Sequence, residues 1–247
     1  EAARTSILNA HYTSPLVVRG VWSALARLGV KGDSIRILDP SMGTGYFFGM
    51  MPEWLQRTAP RVGVERDSIT GRIAKVLPPA SMVHNTGFED VALPNNYFAL
   101  AVSNVPFGKQ RVHDPRFRAK RFLTASIHNY FFAKALDLVR PGGIVAFITS
   151  SYTMDAGDST IRQYLSDQAD FLGAIRLPNT SFEKNAGTSV TTDIVFLQKR
   201  EKGQKPGGAE WVKTVPFGHG GKVNQYYAKN PKMILGELVQ PTKMHGT

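Results

Sequence analysis

The amino-acid sequence predicts an α/β fold: a mostly parallel sheet of seven strands, one of them antiparallel, with helices on both faces. Two observations predict it. Short apolar runs typical of buried strands alternate, through residue 200, with segments whose apolar residues recur every three or four positions. The boundaries carry Gly, Pro, Ser and Asp where those residues cap or break elements. Hydrophobic residues make up 42% of the 247 and charged residues 20%, the balance of an ordinary folded chain, long enough to bury a core without staples.

Each element follows from local chemistry. Thr13-Ser14-Pro15 supplies a cap and a first-turn proline, and Val18, Val21, Trp22 and Leu25 then share one helical face before Gly29. Residues 35–38 read as the first strand and residues 62–64 as the second. Asp67 or Ser68 caps a helix carrying Ile69, Ile73 and Leu77, and residues 100–102 are a short buried fourth strand. Ser126 opens a helix with Ile127, Phe131, Ala135 and Leu138 in phase, and Pro141-Gly142-Gly143 turns the chain into a strand at 144–148. Residues 172–177 and 194–197 complete the sheet as antiparallel neighbours. Residues 1–200 form the expected body. From residue 201 the composition becomes Glu-Lys-Gly-Gln-Lys-Pro-Gly-Gly, that of a flexible linker. Residues 201–247 therefore read as a linker and an irregular arm that packs on the body or meets a neighbour. The start, Glu-Ala-Ala-Arg, carries no initiator Met, and the chain reads as a piece of a longer protein.

Composition narrows the chemistry. The absence of cysteine excludes disulfides, a thiolate nucleophile and Cys-ligated metal. The six His show no metal-ligand spacing, so no metal is expected. No apolar run approaches the roughly 18 residues of a membrane helix, and a reducing cytoplasm fits. The net charge of +11 is concentrated. Lys109, Arg111, Arg116, Arg118, Lys120 and Arg121 stand against a single acid, Asp114, and the segment from residue 201 carries seven Lys against three Glu. Such segments suit a polyanion, although short basic runs also serve as solvated faces.

Three motifs carry chemistry. The first strand runs into Asp39-Pro40-Ser41-Met42-Gly43-Thr44-Gly45, whose glycines admit left-handed backbone and close approach of a ligand at the carboxyl end of a strand. A plain strand-to-helix junction has the same composition. Glu65 ends the second strand twenty residues after Gly45, the spacing at which a carboxylate meets both ribose hydroxyls of a nucleoside, or simply a surface acid at a strand end. There is no third glycine and no Lys-Ser/Thr of a phosphate loop, which favours a cofactor without pyrophosphate. Ser103-Asn104-Val105-Pro106-Phe107-Gly108 follows the fourth strand. An Asn amide oxygen beside a backbone carbonyl makes two acceptors for one –NH2 group, and Phe107 offers a face for a planar base. Asn-x-Pro is equally an ordinary turn.

Together these segments resemble the gamma-order adenine-N6 DNA methyltransferases, as in type I modification subunits. Asp39–Gly45 resembles their S-adenosylmethionine loop, Glu65 their ribose-binding acid, Asn104-Val105-Pro106-Phe107 their Asn-Pro-Pro-Tyr/Phe signature, and residues 9–15 (Asn-Ala-His-Tyr-Thr-Ser-Pro) their N-terminal cofactor motif. The likeness covers roughly residues 7–200, and Asn224-Gln225-Tyr226-Tyr227 with Met233-Ile234-Leu235-Gly236 resembles large methylase–helicase polypeptides of phages, plasmids and mobile elements. The resemblance implies a Rossmann-like methyltransferase fold in which residues 1–200 are catalytic. It implies transfer of a methyl group from S-adenosylmethionine to the N6 of a flipped adenine in DNA. Tyr12 and Thr13 would bracket the methionine part of the cofactor. Asp39, Pro40, Gly43 and Gly45 would line the loop, Glu65 would hold the ribose, and Phe88 would lie against the cofactor adenine. Asn104 and the carbonyl of Val105 would hold the target amine in the turn shaped by Pro106, with Phe107 stacked on the base. The basic segment 109–121 would follow the DNA backbone, and Phe117 and Phe122 would either reach bases or anchor the loop.

Three departures matter. Val105 replaces the first proline, but any residue supplies a carbonyl. Gly87 stands where an Asp often reads the cofactor amine, with Glu89 or Asp90 as substitutes, and Ala99 stands where an Asp commonly precedes the fourth strand. Two further functions stay open: a protein-glutamine N-methyltransferase, which shares the Asn-Pro-Pro-Tyr turn, and a non-catalytic DNA-binding module in a defence or anti-restriction machine. The resemblance assigns target recognition, and any helicase activity, to other domains of the same polypeptide.

Overall fold

The computed structural model describes residues 13–31, 35–56, 59–76, 81–178, 191–218 and 221–236. Helix α1 (Pro15–Arg27) is capped by Ser14, whose hydroxyl accepts the Val17 N–H, and it buries Val18, Val21, Trp22 and Leu25 as its spacing predicts. Strand β1 (Ile37–Asp39) ends in a loop to two short helices, α2 (Tyr46–Gly49) and α3 (Glu53–Gln56). Strand β2 (Arg61–Val64), helix α4 (Ser68–Ala74) and strand β3 (Ser81–His84) follow, then β4 (Phe98–Asn104), helix α5 (Ile127–Leu138) and β5 (Val139–Ser150). Helices α6 (Tyr152–Asp155) and α7 (Thr160–Ser166) precede β6 (Ala169–Arg176) and β7 (Thr192–Lys199). Beyond them lie β8 (Thr214–Phe217), β9 (Gly221–Asn224) and helix α8 (Gln225–Lys229).

The main sheet has seven strands in the order β3-β2-β1-β4-β5-β7-β6. All neighbours are parallel except β7, which runs antiparallel to both β5 and β6. The chain builds outward from β1 through β2 to β3 and then returns to the other side of β1 as β4. Loops leaving the carboxyl ends of β1 and β4 therefore diverge, and this switch point is where open α/β sheets receive ligands. Alternate residues along each strand serve opposite faces: Leu38, Ala101, Val145 and Phe147 pack with α5, whereas Ile37, Leu100, Val102 and Ala146 pack with α1. Burial on both faces explains why the central strands read as unbroken apolar runs.

Several local features go beyond the pattern of the sequence. Strand β3 has no apolar signature because its residues are only half-buried and Met82 is exposed. Helix α4 turns Gly71 and Ala74 inward and leaves Ile73 exposed. A side chain at Gly71 would overlap Asn85, so the close approach demands small residues there, and Leu77 lies outside the described residues. Pro141-Gly142-Gly143 is not a turn before a strand. It is a kink inside β5, which starts at Val139 and shifts register against β4 between Phe98 and Leu100. The segment read as a flexible linker is held to Asp170 by Arg200, Gln204 and the Gly207 N–H. Beyond it Trp211 stacks on Phe171 with ring centroids 4.9 Å apart, and α8 buries Tyr226 and Tyr227. Among the described residues no helix is long and apolar enough to cross a membrane, and no group of three His, Asp or Glu is placed to hold a metal ion.

Candidate active site

The loop after β1 is shaped by two left-handed glycines, Gly43 at φ +55° and Gly45 at φ +89°. A Cβ at Gly43 would meet no atom within 4 Å, so the loop faces open space. Asp39 beneath it is fully buried. Its Oδ1 accepts the Ser41 N–H (3.2 Å) and the Ser103 hydroxyl (2.7 Å), whereas Oδ2 is buried and accepts no hydrogen bond among the described residues. Burial pushes the carboxyl up to about 7 against the pull of those two hydrogen bonds, and the nearby charge of Glu65 adds to the rise.

Glu65 staples the loop from the next strand. Its Oε2 accepts the Gly43 N–H (2.9 Å) and its Oε1 the Asp67 N–H (2.7 Å). Burial raises its pKa while these backbone donors lower it. The Asn85 amide in turn donates to the backbone carbonyls of Glu65 (2.7 Å) and Asp67 (3.1 Å). The carboxylate expected on spacing thus stands beside the glycine loop, with one oxygen on the loop backbone itself.

The end of β4 closes the other side. Ser103, which sequence reasoning passed over, ties β4 to Asp39. Its neighbour Asn104 donates from Nδ2 to the Thr13 hydroxyl (3.0 Å), so the N-terminal motif touches the Asn-x-Pro-Phe turn directly. That bond turns the amide oxygen away from Thr13. The Val105 N–H donates to the Ile148 carbonyl (3.1 Å) and the Val105 side chain is buried, while Pro106 and Phe107 are half-buried. Gly108 ends the turn at φ +133°. His128 on α5 bonds the Gly108 backbone, and burial lowers its pKa despite that bond. Tyr12 lies outside the described residues.

Phe88 is packed in the core, its ring against Phe131 (centroids 5.0 Å) and Tyr130 (5.9 Å) with the Lys134 ammonium 4.9 Å from its centroid. At Gly87 before it, a Cβ would lie 2.6 Å from the carboxylate at the end of the flexible Glu89 side chain.

The basic segment divides. A cleft of about 980 Å³ is lined by Arg111, His113, Phe117, Arg118, Arg121 and Phe122 among others. Arg116 instead bonds Asn95 (2.7 Å) and pairs with Asp137 (3.7 Å), Lys120 lies 4.8 Å from the Tyr164 ring, and Lys109 is exposed. Phe117 is buried against Tyr130 and anchors the loop, whereas Phe122 is partly exposed.

Residues 10–214 match the N-6 DNA Methylase family. The chain is 32% identical over 244 residues to the Defense against restriction protein B of Escherichia phage P1, an alignment spanning 96% of this chain and 10% of that protein. A protein of Listeria monocytogenes assigned to the class I S-adenosylmethionine-dependent methyltransferases superposes with a TM-score of 0.69 at 20% identity, covering 81% of this chain and 64% of that one. The methyltransferase subunit of the type I restriction-modification system of Streptococcus thermophilus superposes with a TM-score of 0.61, also at 20% identity, covering 77% and 45%. At that identity the two structures show the fold. The chain spans only about a tenth of the length of the curated relative it matches.

Proposed function

The chain belongs to the N-6 DNA methylase family, and from that premise we propose that it transfers a methyl group from S-adenosylmethionine to the N6 amine of an adenine flipped out of DNA. The observation that carries the reading is the pair of long-range bonds at the end of β4. Ser103 reaches Asp39 of the glycine loop, and Asn104 reaches Thr13 of the N-terminal motif. Adjacent residues thereby join the cofactor-side segments to the turn that would hold the base.

The residues fit the cofactor. Asp39 Oδ2 is a buried acceptor still lacking a donor among the described residues, suited to a cationic group, and the space beside Gly43 admits a ligand against the backbone. Asp39, Pro40, Gly43, Gly45, Glu65, Tyr12 and Thr13 would hold it, with Glu89 in place of the missing Asp and the backbone at Phe88, whose ring is packed in the core, at the adenine end. S-adenosylmethionine supplies a sulfonium methyl open to direct displacement by a nitrogen lone pair. Asn104 Oδ1 and the Val105 carbonyl would accept the two amine hydrogens and draw that lone pair out of conjugation. Phe107 would stack on the base. Positioning and exclusion of water then carry the rate, with no strong base in the turn.

DNA is the proposed partner, and Arg111, Arg118 and Arg121 the residues lining a cleft for its backbone. Target recognition and helicase functions are assigned to other domains of a longer polypeptide, in the cytoplasm of a bacterial or phage-infected cell. The match to an anti-restriction protein favours a second reading, a non-catalytic DNA-binding module in a defence machine. Tritiated methyl transfer decides: the proposal expects label on DNA and none on glutamine peptides, lost in Asn104→Ala. Label on peptides alone overturns it, and failure to bind the cofactor at millimolar concentration in calorimetry supports the module.

A further inference from the structure

Lys134 is a cation in the core. It sits on α5 and is 1% exposed. Its ammonium donates to the Phe88 carbonyl (2.5 Å) and to Asp114 Oδ2 (3.1 Å), and the carbonyls of Glu89 and Val91 lie at 3.4 Å. Three protons are shared among four acceptors from two segments of the chain. Residues 88–91 follow β3 on the side assigned to the cofactor adenine. Asp114 roots the arginine cleft: its Oδ1 caps the turn Pro115–Phe117 through the Arg116 N–H (2.9 Å), and its Oδ2 also accepts the Tyr130 hydroxyl (2.8 Å).

Burying an ammonium is unfavourable until its partners replace the lost hydration, and a Met or Leu would fill the same volume in this apolar setting. The two segments that Lys134 joins share no direct hydrogen bond among those described. Without it, Asp114 would be a buried carboxylate held by neutral donors alone. We infer that Lys134 is a positioning residue that couples cofactor occupancy to the seating of DNA, because one ammonium holds the 88–91 carbonyls and the acid at the root of the arginine cleft in a single arrangement. A ligand that orders residues 88–91 fixes the ammonium, and the ammonium fixes Asp114, the turn at Arg116 and the neighbouring Arg118. By linkage, DNA in the cleft must tighten the cofactor by the same factor that the cofactor tightens DNA.

The inference rests on the proposed methyltransferase reading, and one experiment separates the two. Binding of S-adenosylhomocysteine to the full chain is measured by calorimetry with and without a saturating mixed-sequence 30-base-pair duplex. The wild type is expected to bind about fivefold or more tighter with the duplex present, within the usual range of coupling. Lys134→Met and Asp114→Asn should bring that ratio to about one, and Lys134→Arg should restore part of it. A merely structural role would lower thermal stability and both affinities but leave the ratio unchanged. A wild-type ratio of one, or an unchanged ratio in the two uncoupling variants, overturns the inference alone. A wild type that binds neither S-adenosylhomocysteine nor duplex overturns the methyltransferase reading and the inference with it. Should Lys134→Met fail to fold, Asp114→Asn still supplies the decisive ratio.

Discussion

Two carboxylates in the same sheet are completely buried, Asp39 at the end of β1 and Asp193 in β7, and they are treated in opposite ways. Asp193 meets Arg176 through both oxygens (2.8 and 2.9 Å). Arg176 also pairs with Asp155 (2.8 Å) and lies under the Tyr227 ring at 4.4 Å, so one guanidinium joins β6, β7, α6 and α8. Asp39 has no cation, two hydrogen bonds on one oxygen and none on the other among the described residues. The completed pair at Asp193 secures structure, whereas the incomplete acceptor at Asp39 is the one that the proposed cofactor would meet.

That contrast breaks most readily at Arg176. Arg176→Leu would leave Asp193 and Asp155 buried without their cation, and urea unfolding should report a loss of about 3–5 kcal/mol. A loss under 1 kcal/mol would mean that the arm, rather than the ion pair, holds this edge. Asn104→Ala should leave unfolding nearly unchanged yet lower the turnover of methyl transfer by about 10²–10³-fold, the usual effect of removing one positioned polar partner in a site.

Asp39 sharpens the comparison through pH. Its pKa is about 7 in the folded protein against an ordinary 3.8, so between those values the native state binds the extra proton and its stability falls as pH rises. Below that window the group contributes nothing, and above it the full penalty is present. The slope should approach 1.4 kcal/mol per pH unit inside the window, and Asp39→Asn should flatten it in urea titrations while weakening the cofactor. A variant with the wild-type slope would show that Asp39 is not the source. The smallest effects belong to the exposed cleft. Arg118→Ala and Arg121→Ala should each weaken duplex binding a few-fold and reduce the salt slope by about one, with unfolding unchanged.

Much of this was legible from neighbouring residues. The Ser14 and Asp67 caps, the buried stripe of α1, the left-handed glycines and the antiparallel edge all rest on interactions spanning a few positions or on strict periodicity. The gaps have a common cause. Helix α4 departs from its apolar pattern because it turns Gly71 toward Asn85, and β3 leaves little trace because an edge strand needs little apolar surface. Nothing in the sequence marks His128 or Lys134, since a lone polar residue on a helix carries no sign of what it will meet.

The sequence by itself determined the alternation of strands and helices, the glycine loop, the Asn104 turn and the basic segment that follows it, because each is encoded in adjacent residues. Only the tertiary structure decided that Asn104 would meet Thr13 at 91 positions' separation, Ser103 meet Asp39 at 64, and Lys134 meet Phe88 at 46. A hydrogen bond across such a distance imposes no period or spacing on the chain. It exists only once the return of β4 beside β1 has brought its two ends together.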